Sequence, residues 1–169
     1  RIDYIKKLQI KATDIYHGIS GEKEELQIKY LSNVRYESED KQKKKKIYFN
    51  NMVKNRPNDL YLKNTTSGPH RDDIEILINN ISARKFGSQG QQRSASLALK
   101  LGEAEIIKDL KGEHPIILLD DVMSELDSTR QNYILNKMTD KQVFITCCEK
   151  ETVSRLHAGK VFKVENGKV

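Results

Sequence analysis

A short apolar run directly before two aspartates is the feature that most constrains how this chain can fold. Residues 115–119 read Pro-Ile-Ile-Leu-Leu, and Asp120 and Asp121 follow at once. A continuous apolar run, without polar alternation, is typical of a strand buried on both faces of a parallel sheet. Ligands of open sheets of this kind bind beyond the carboxyl ends of the strands, so the two aspartates are expected at a functional edge.

The segments around this run alternate between strand and helix patterns. The elements predicted for residues 71–169 are a strand at 74–78, a turn at 79–80 into residues 81–86, a helix at 91–110, a strand at 115–119, a helix after residue 127, a strand at 142–146 and a last strand at 161–164 before a turn at 166–167. Ser128 and Gln131 are expected to form the capping box of the later helix. Strands alternating with helices predict an α/β fold with a parallel sheet flanked by helices.

Residues 1–70 have a different character and form a second predicted domain. The elements predicted there are a helix at 2–17 stopped by Gly18 and Gly21, an alternating strand between residues 26 and 36, and a basic helix at 40–55 that ends before Pro57. This region has the pattern of an elongated lobe and lacks a self-sufficient core. The domain boundary is therefore predicted near residue 70, with residues 71–169 as the second domain.

The positive charge of the chain is concentrated in the first domain. The net charge is +6, and residues 1–71 hold 16 Lys and Arg against 9 Asp and Glu. The densest stretch contains Lys41, Lys43, Lys44, Lys45 and Lys46. Such a run attracts the phosphate backbone of DNA, but a solvated helix face gives the same pattern and is the more common case. The two interpretations stay open at this point.

Cysteine and histidine usage bounds the setting of the protein. Cys147 and Cys148 are adjacent and offer no disulfide framework, and no apolar leader or membrane-spanning run occurs. A reducing, cytoplasmic location is therefore expected. The four histidines are scattered without zinc-ligand spacing, so no structural metal is predicted. The first residue is arginine, which suggests a piece of a longer chain.

The paired aspartates admit two interpretations from the residues alone. Two carboxylates at a strand end can hold Mg²⁺ and orient a water molecule for attack. One of them could equally cap a turn, and the motif by itself does not decide between these.

Three motifs in order resemble the ATP-binding cassette superfamily and, within it, the bacterial RecF family of recombination proteins. Ser88-Gln89-Gly90-Gln91-Gln92-Arg93 resembles the signature motif. Residues 116–121 resemble the Walker B strand, and the D-loop is matched by Ser124-Glu125-Leu126-Asp127. Gly68-Pro69-His70-Arg71-Asp72-Asp73 also resembles a RecF sequence, although its role is open between phosphate or partner contact and a fixed turn.

This resemblance implies a head of an ATPase that closes as a homodimer around ATP. It implies that Ser88, Gln89, Gly90, Gln91 and Gln92 contact the γ-phosphate of a nucleotide held by the opposite subunit, which suits backbone N–H groups at a helix start. It assigns Asp120 to Mg²⁺ and Asp121 to the general base or water-orienting group. Ser124 and Asp127 would act in the D-loop.

Two departures from the superfamily pattern limit what this segment can do. No Gly-x-x-x-x-Gly-Lys-[Ser/Thr] loop occurs in the 169 residues, so the chain resembles the C-terminal half of such an ATPase together with the distal part of its arm lobe. Thr146 stands where the switch histidine is expected. We therefore expect slow hydrolysis in an intact protein and none by this segment alone.

The function implied is that of a RecF-like recombination mediator. It would bind single-stranded, gapped or duplex DNA as an ATP-dependent dimer in recombinational repair, replication-fork recovery and SOS induction, with RecR and RecO as partners. One rival is another chromosome-maintenance ATPase of the SMC type, although residues 1–70 lack sustained heptads. Two others are a non-enzymatic basic DNA-binding module and a two-metal nuclease using Asp72, Asp73, Glu75, Asp120 and Asp121.

Overall fold

The computed structural model describes residues 1–36, 40–148, 159–166 and 168. Its elements are α1 (Ile2–Ile19), β1 (Leu26–Leu31), α2 (Lys41–Leu62), β2 (Asp73–Ile78), β3 (Ile81–Ser82), α3 (Ala83–Phe86), α4 (Gln89–Lys111), β4 (Ile117–Asp120), α5 (Ser128–Lys137) and β5 (Val143–Thr146). The predicted α/β class is confirmed, and its helices and strands follow the apolar patterns in the sequence.

Two small sheets organise the described chain. In the first, β1, β2 and β3 are antiparallel neighbours, with Leu26 opposite Ile78. In the second, β4 and β5 are parallel, and Asp120 is paired in register with Thr146. This register brings the carboxyl ends of two strands to one edge, where the functional side chains were expected.

The core lies where α1 crosses α4. Ala12 and Ala98 are fully buried, and a Cβ atom on Gly102 would lie 3.2 Å from the backbone nitrogen of Ala12. Small residues at these positions let the two helix backbones approach each other closely. Leu8 on α1 and Leu101 on α4 complete the contact from either side. Helix packing of this density is the main source of stability in such a fold.

The core also crosses the boundary drawn from the sequence. Strand β1 pairs with β2, and α1 packs against α4 and α5. Helix α2 takes no part in this core, because none of its residues is buried. The division at residue 70 stays a prediction, although α1 and β1 share the core of the second region.

Helix α2 is longer than the sequence predicted. The prediction that it ends before Pro57 is wrong, because the helix continues to Leu62 with the proline inside it. A proline removes one backbone donor, but the residues on either side still supply theirs, so the helix can continue past it. The helix ends instead at Lys63, whose left-handed conformation has a φ of 52°.

The prediction that β4 is buried on both faces is also wrong. Ile117 and Leu119 point into the core, whereas Leu118 is 73% exposed and its neighbour on β5, Phe144, is 55% exposed. Within the described residues the sheet has two strands, and its outer face has nothing packed over it. The continuous apolar run therefore supplies one face of β4 that packs against the core and one face that is exposed to solvent.

Several element boundaries differ from the sequence predictions. Helix α1 continues through Gly18, where a side chain would collide with the Tyr133 ring, and the first strand ends at Leu31. The turn at Asn79 and Asn80 forms with positive φ at both residues, but the chain after Ser82 becomes the short helix α3. Tertiary contacts decide each of these ends.

The remaining corrections concern the last third of the chain. Asp127 caps α5, and the expected capping box of Ser128 and Gln131 is absent because the Gln131 amide binds the carbonyls of Met123 and Leu126. Residues 161–164 form no strand. The turn expected at 166–167 lies partly outside the described residues.

Candidate functional site

We call the turn from Ser88 to Gln92, where the signature motif is predicted, the signature turn. It begins α4 with a complete capping box. Oγ of Ser88 accepts a hydrogen bond of 3.2 Å from the Gln91 amide, and Oε1 of Gln91 accepts one of 2.9 Å from the Ser88 amide. Within the described chain no acceptor engages the backbone N–H groups of Gln89 and Gly90, the first two residues of the helix. These donors and the dipole of a 23-residue helix favour an anion at this end.

The two glutamine side chains of the turn are already engaged. Nε2 of Gln91 donates to Oε1 of Glu24 at 2.6 Å, and Nε2 of Gln92 donates to the carbonyl of Gly87 at 3.0 Å. Each amide nitrogen keeps a second N–H, but the bond that it already makes fixes its orientation. Among the described residues, the backbone N–H groups of Gln89 and Gly90 are the donors of the turn that remain open to an anion.

The paired aspartates are arranged by a threonine on the neighbouring strand. Oγ1 of Thr146 donates to Oδ1 of Asp120 at 2.5 Å and accepts from the backbone N–H of Asp121 at 3.0 Å. The same N–H also lies 3.2 Å from the Thr146 carbonyl. Thr146, at the switch position, thus fixes the orientation of Asp120 and the path of the chain after it.

These residues fit a magnesium ion. Oδ2 of Asp120 has no hydrogen-bond partner among the described residues, so it remains available as an oxygen ligand. Mg²⁺ in nucleotide sites needs only one or two carboxylates, since water and phosphate oxygens complete its shell. Asp121 follows with a φ of 52°, and its exposed carboxylate projects from a backbone conformation that few residues other than glycine adopt.

The D-loop connects the aspartates with the signature turn. Oγ of Ser124 donates to the Asp121 carbonyl at 2.8 Å, and Asp127 caps α5 by accepting from the Arg130 amide at 3.0 Å. The Arg130 guanidinium lies 3.3 Å from Asp127 and against Gly90, where a Cβ atom would be 2.9 Å from Nη1. Gly90 therefore leaves space for a cation beside the helix start.

The lysine run lies at the start of α2. Lys41 forms an ion pair of 2.8 Å with Asp3, and the ammonium of Lys44 lies 4.8 Å from the centre of the Tyr36 ring. Lys43, Lys45 and Lys46 are exposed, and within the described chain no carboxylate pairs with them. The run is a cationic surface with three ammonium groups open to solvent.

The segment from Gly68 to Asp73 is occupied by internal contacts. The Arg71 guanidinium donates to the Thr65 carbonyl at 3.0 Å, and the His70 ring lies 3.2 Å from the same oxygen. Asp72 accepts from the Tyr48 hydroxyl at 3.0 Å and from the Asn33 amide at 2.7 Å. These contacts support the turn-fixing interpretation.

The acidic residues required by a nuclease do not converge. Asp73 and Glu75 belong to the antiparallel sheet and Asp72 directly precedes it, whereas Asp120 and Asp121 lie at the end of β4 in the parallel sheet. No group of three or more potential metal ligands is found in the part of the chain that the structure describes.

The described residues contain no helix that is long and apolar enough to cross a bilayer. Cys147 and Cys148 are both free thiols.

Three residues around the site were missed by sequence reasoning. Glu24, held by Tyr16, contacts the signature turn from the first part of the chain, and Arg130 contacts it from α5. Glu24 is 67 positions from Gln91, and no local pattern links the two. Arg130 lies three residues after Asp127, the last residue of the predicted D-loop. This closeness in sequence was the one pattern that could have indicated a place near the site.

Comparison with solved structures identifies the class of this fold. The structure of an SMC ATPase, from work on ATP-driven dimerization and DNA-stimulated activation, has 11% identity and a TM-score of 0.54 over 98% of this chain and 82% of its own. At that identity the likeness concerns the fold alone, and it shows that this chain has the fold of part of an ATPase head.

The particular family follows from closer relatives. The DNA replication and repair protein RecF of Clostridium tetani is 46% identical over 99% of this chain, and that of Clostridium botulinum strain Langeland is 44% identical over all of it. The structure of the recombination mediator protein RecF-ATPrS in the RecFOR pathway has a TM-score of 0.77 and 40% identity over 98% of this chain. The resemblance to RecF is confirmed: in sequence and in fold, this chain corresponds to a part of a RecF protein.

The extent of that part is also clear. The chain spans 46% of each of these two curated relatives and 43% of the RecF-ATPrS chain. A second structure, of RecF-ATP, has a TM-score of 0.72 over 88% of this chain and 39% of its own. No family model matches the sequence.

Proposed function

We propose that this chain supplies the signature turn and the Walker B aspartates of a RecF-type recombination mediator that dimerises around ATP. The observation that carries the proposal is the start of α4, where Gln89 and Gly90 present open backbone donors beside the Arg130 guanidinium. An anion is stabilised there by the N–H groups, the helix dipole and a cation. Such a turn would contact only the phosphate of a nucleotide and not its base. This suits a nucleotide that is held by the opposite subunit.

Each side chain of the site has a part in this proposal. Asp120, oriented by Thr146, would hold Mg²⁺, which when bound neutralises phosphate charge. Asp121 would orient the attacking water or take its proton. It is one methylene shorter than the glutamate usual in transporters, so slow hydrolysis is expected. Slow hydrolysis suits a switch that closes on DNA and later opens.

The proposed role is recombinational repair in the cytoplasm, including replication-fork recovery and SOS induction, with RecR and RecO as partners. Two kinds of support exist: the relatives carry the name DNA replication and repair protein RecF, and the solved ones are described with ATP or ATPrS in the RecFOR pathway. The rival nuclease function loses support because its carboxylates lie on separate sheets.

The central test replaces Ser88 by arginine in a full-length form, meaning residues 1–169 joined to the N-terminal half that the relatives have. Ser88→Arg is expected to leave nucleotide binding largely intact but to block ATP-driven dimerisation, because a long cation at the helix start excludes the second subunit's nucleotide. Light scattering measures the dimer, and Ser96→Arg, an exposed serine on the same helix, is the control. Unchanged dimerisation by Ser88→Arg would reject the assignment.

The segment by itself gives a second test. Without a phosphate-binding loop, residues 1–169 alone should bind ATP weakly and hydrolyse none above background. A phosphate-release assay on the purified segment measures this. ATP turnover that Asp121→Asn abolishes would show that the segment carries a complete active site, against the proposal.

DNA binding through α2 is also proposed, and its support is the cluster of exposed ammonium groups of Lys43, Lys45 and Lys46. Replacing Lys43, Lys44, Lys45 and Lys46 by glutamine should reduce the slope of log K against log salt by about 0.9 for each duplex phosphate that the protein no longer neutralises. The weakening should be similar for different DNA sequences, because phosphate contacts do not read bases. Titrations of the full-length form with ATP present decide the matter, since a merely solvated helix face leaves the slope unchanged.

A further inference from the structure

A carboxylate from a distant part of the sequence is bonded to the signature turn. Glu24 lies in the loop between α1 and β1, and its Oε1 accepts a hydrogen bond of 2.6 Å from Nε2 of Gln91. Gln91 also closes the capping box with Ser88 through its Oε1. Both ends of this one amide are therefore used, one within the turn and the other across to Glu24.

Glu24 is itself held from the core. The hydroxyl of Tyr16, which is 0% exposed, donates to Oε2 of Glu24 at 2.7 Å. Burial raises the pKa of Tyr16, and the neighbouring carboxylate raises that pKa further, so the hydroxyl remains a donor at physiological pH. The backbone N–H of Glu24 lies 3.3 Å from Oγ of Ser20. One carboxylate oxygen and the backbone of Glu24 are thus fixed by α1 and the loop that follows it, and the other carboxylate oxygen is left for Gln91.

We propose that Glu24 is a positioning residue of the signature turn: it holds Gln91, and through it the turn from Ser88 to Gln91, in the conformation that meets the nucleotide of a second subunit. The inference rests on the proposed function and adds a residue to that same site. Its basis is a continuous line of contacts from the buried Tyr16 through Glu24 to Gln91. A charge-assisted hydrogen bond is about twice as strong as a neutral one, which suits a contact that sets geometry.

The identity of residue 91 fits this role. A glutamate at that position would keep the capping box, because its carboxylate also accepts from the Ser88 amide. It would, however, place a second carboxylate against Glu24 at hydrogen-bond distance. Glutamine supplies the acceptor that the turn needs and the donor that Glu24 needs, so residues 24 and 91 act as a matched pair.

A double-mutant cycle in the full-length form tests this pairing. Glu24→Gln should weaken ATP-driven dimerisation about fivefold, because the charge assistance is removed, while ATP binding within the subunit is unchanged. Gln91→Glu should weaken dimerisation about tenfold or more, since two carboxylates then meet. Adding Glu24→Gln to Gln91→Glu should restore most of that dimerisation, because the new glutamine can donate to the new carboxylate. The sign of the Glu24→Gln effect therefore reverses between the two backgrounds.

The control and the opposing outcomes are well separated. Glu25→Gln removes the same charge from an exposed neighbouring residue and should change dimerisation little in either background. A Glu24→Gln effect of the same sign in both backgrounds, or one no larger than that of Glu25→Gln, would overturn the inference. Amide hydrogen exchange at Gln91 and Gln92, whose backbone N–H groups donate to the hydroxyl and the carbonyl of Ser88, gives a readout apart from dimerisation and should show the same reversal.

Ser88→Arg separates this inference from the function on which it rests. If Ser88→Arg fails to block dimerisation, the proposed function falls and this inference falls with it. If Ser88→Arg blocks dimerisation and the cycle shows no reversal of sign, the signature assignment stands and only the role of Glu24 is rejected.

Discussion

Helices α2 and α4 are nearly equal in length, but they differ in how much of their surface is buried. Helix α4, with 23 residues, buries an entire face against α1, whereas α2, with 22, buries none of its residues. The buried face of α4 consists of Ser94, Ala95, Leu97, Ala98, Leu101, Gly102, Ala104 and Ile106. An isolated helix of this length is marginal in water. Helix α4 gains its stability from apolar packing, whereas α2 is held by polar contacts at the surface, such as the ion pair of Lys41 with Asp3 and the hydrogen bond from Tyr48 to Asp72.

The difference teaches where function can be placed on each helix. Packing fixes the start of α4 within the core, which suits a turn that must present backbone donors in one geometry. Helix α2 has apolar residues such as Phe49 and Val53 in solvent beside its lysines, which suits a surface that meets another molecule. Substitutions matched between the two helices can sharpen or break this contrast.

The largest expected effect comes from truncating the same residue type on each helix. Leu101→Ala on α4 should lower the free energy of unfolding by about 2–5 kcal/mol, because Leu101 is 7% exposed and its removal leaves a cavity. Leu60→Ala on α2 should change it by less than about 0.5 kcal/mol, because Leu60 is 69% exposed. Urea unfolding followed by circular dichroism measures both. Comparable decreases would show that α2 is packed after all.

Pro57 offers an intermediate effect confined to α2. Pro57→Ala restores a backbone donor and should stabilise the surrounding helix by up to about 3 kcal/mol, while the free energy of global unfolding stays unchanged. Slower amide exchange over residues 58–62 is the expected observation. Asn58→Ala, at the next exposed position, is the control and should have a much smaller effect. A clear rise in global stability with Pro57→Ala would mean that α2 unfolds together with the core.

The smallest expected effect concerns the two helix caps. Asp40 caps α2 by accepting from the amides of Gln42 and Lys43, and Ser88 caps α4. Replacing either by alanine should cost about 1 kcal/mol of helix stability. For Ser88→Ala the decrease should be seen in global unfolding, and for Asp40→Ala only in the exchange of the first turn of α2. Equal decreases in urea unfolding would contradict the independence of α2.

The local elements were predictable because their causes lie close together in the sequence. The apolar spacing gave α1 and α4, the apolar run gave β4, and the pair Asn79–Asn80 gave a turn with positive φ at both residues. The motif residues from Ser88 to Asp127 lie at a helix start, at a strand end and in the loop beyond it, and the roles that the RecF resemblance implies for them stay predictions. Residues close together in the sequence carry the pattern for each of these features.

Only the tertiary structure decided which residues complete the site. The bond between Glu24 and Gln91 joins residues 67 positions apart, and Arg130 meets Gly90 because α5 folds back against the start of α4. The exposure of Leu118 likewise depends on whether another element covers that face of the sheet. The apolar character of the residue does not predict this. Periodicity fixes which side of an element is apolar, because it follows from backbone geometry. The packing of the whole chain decides which other element lies against that apolar side, and no local sequence pattern contains that information.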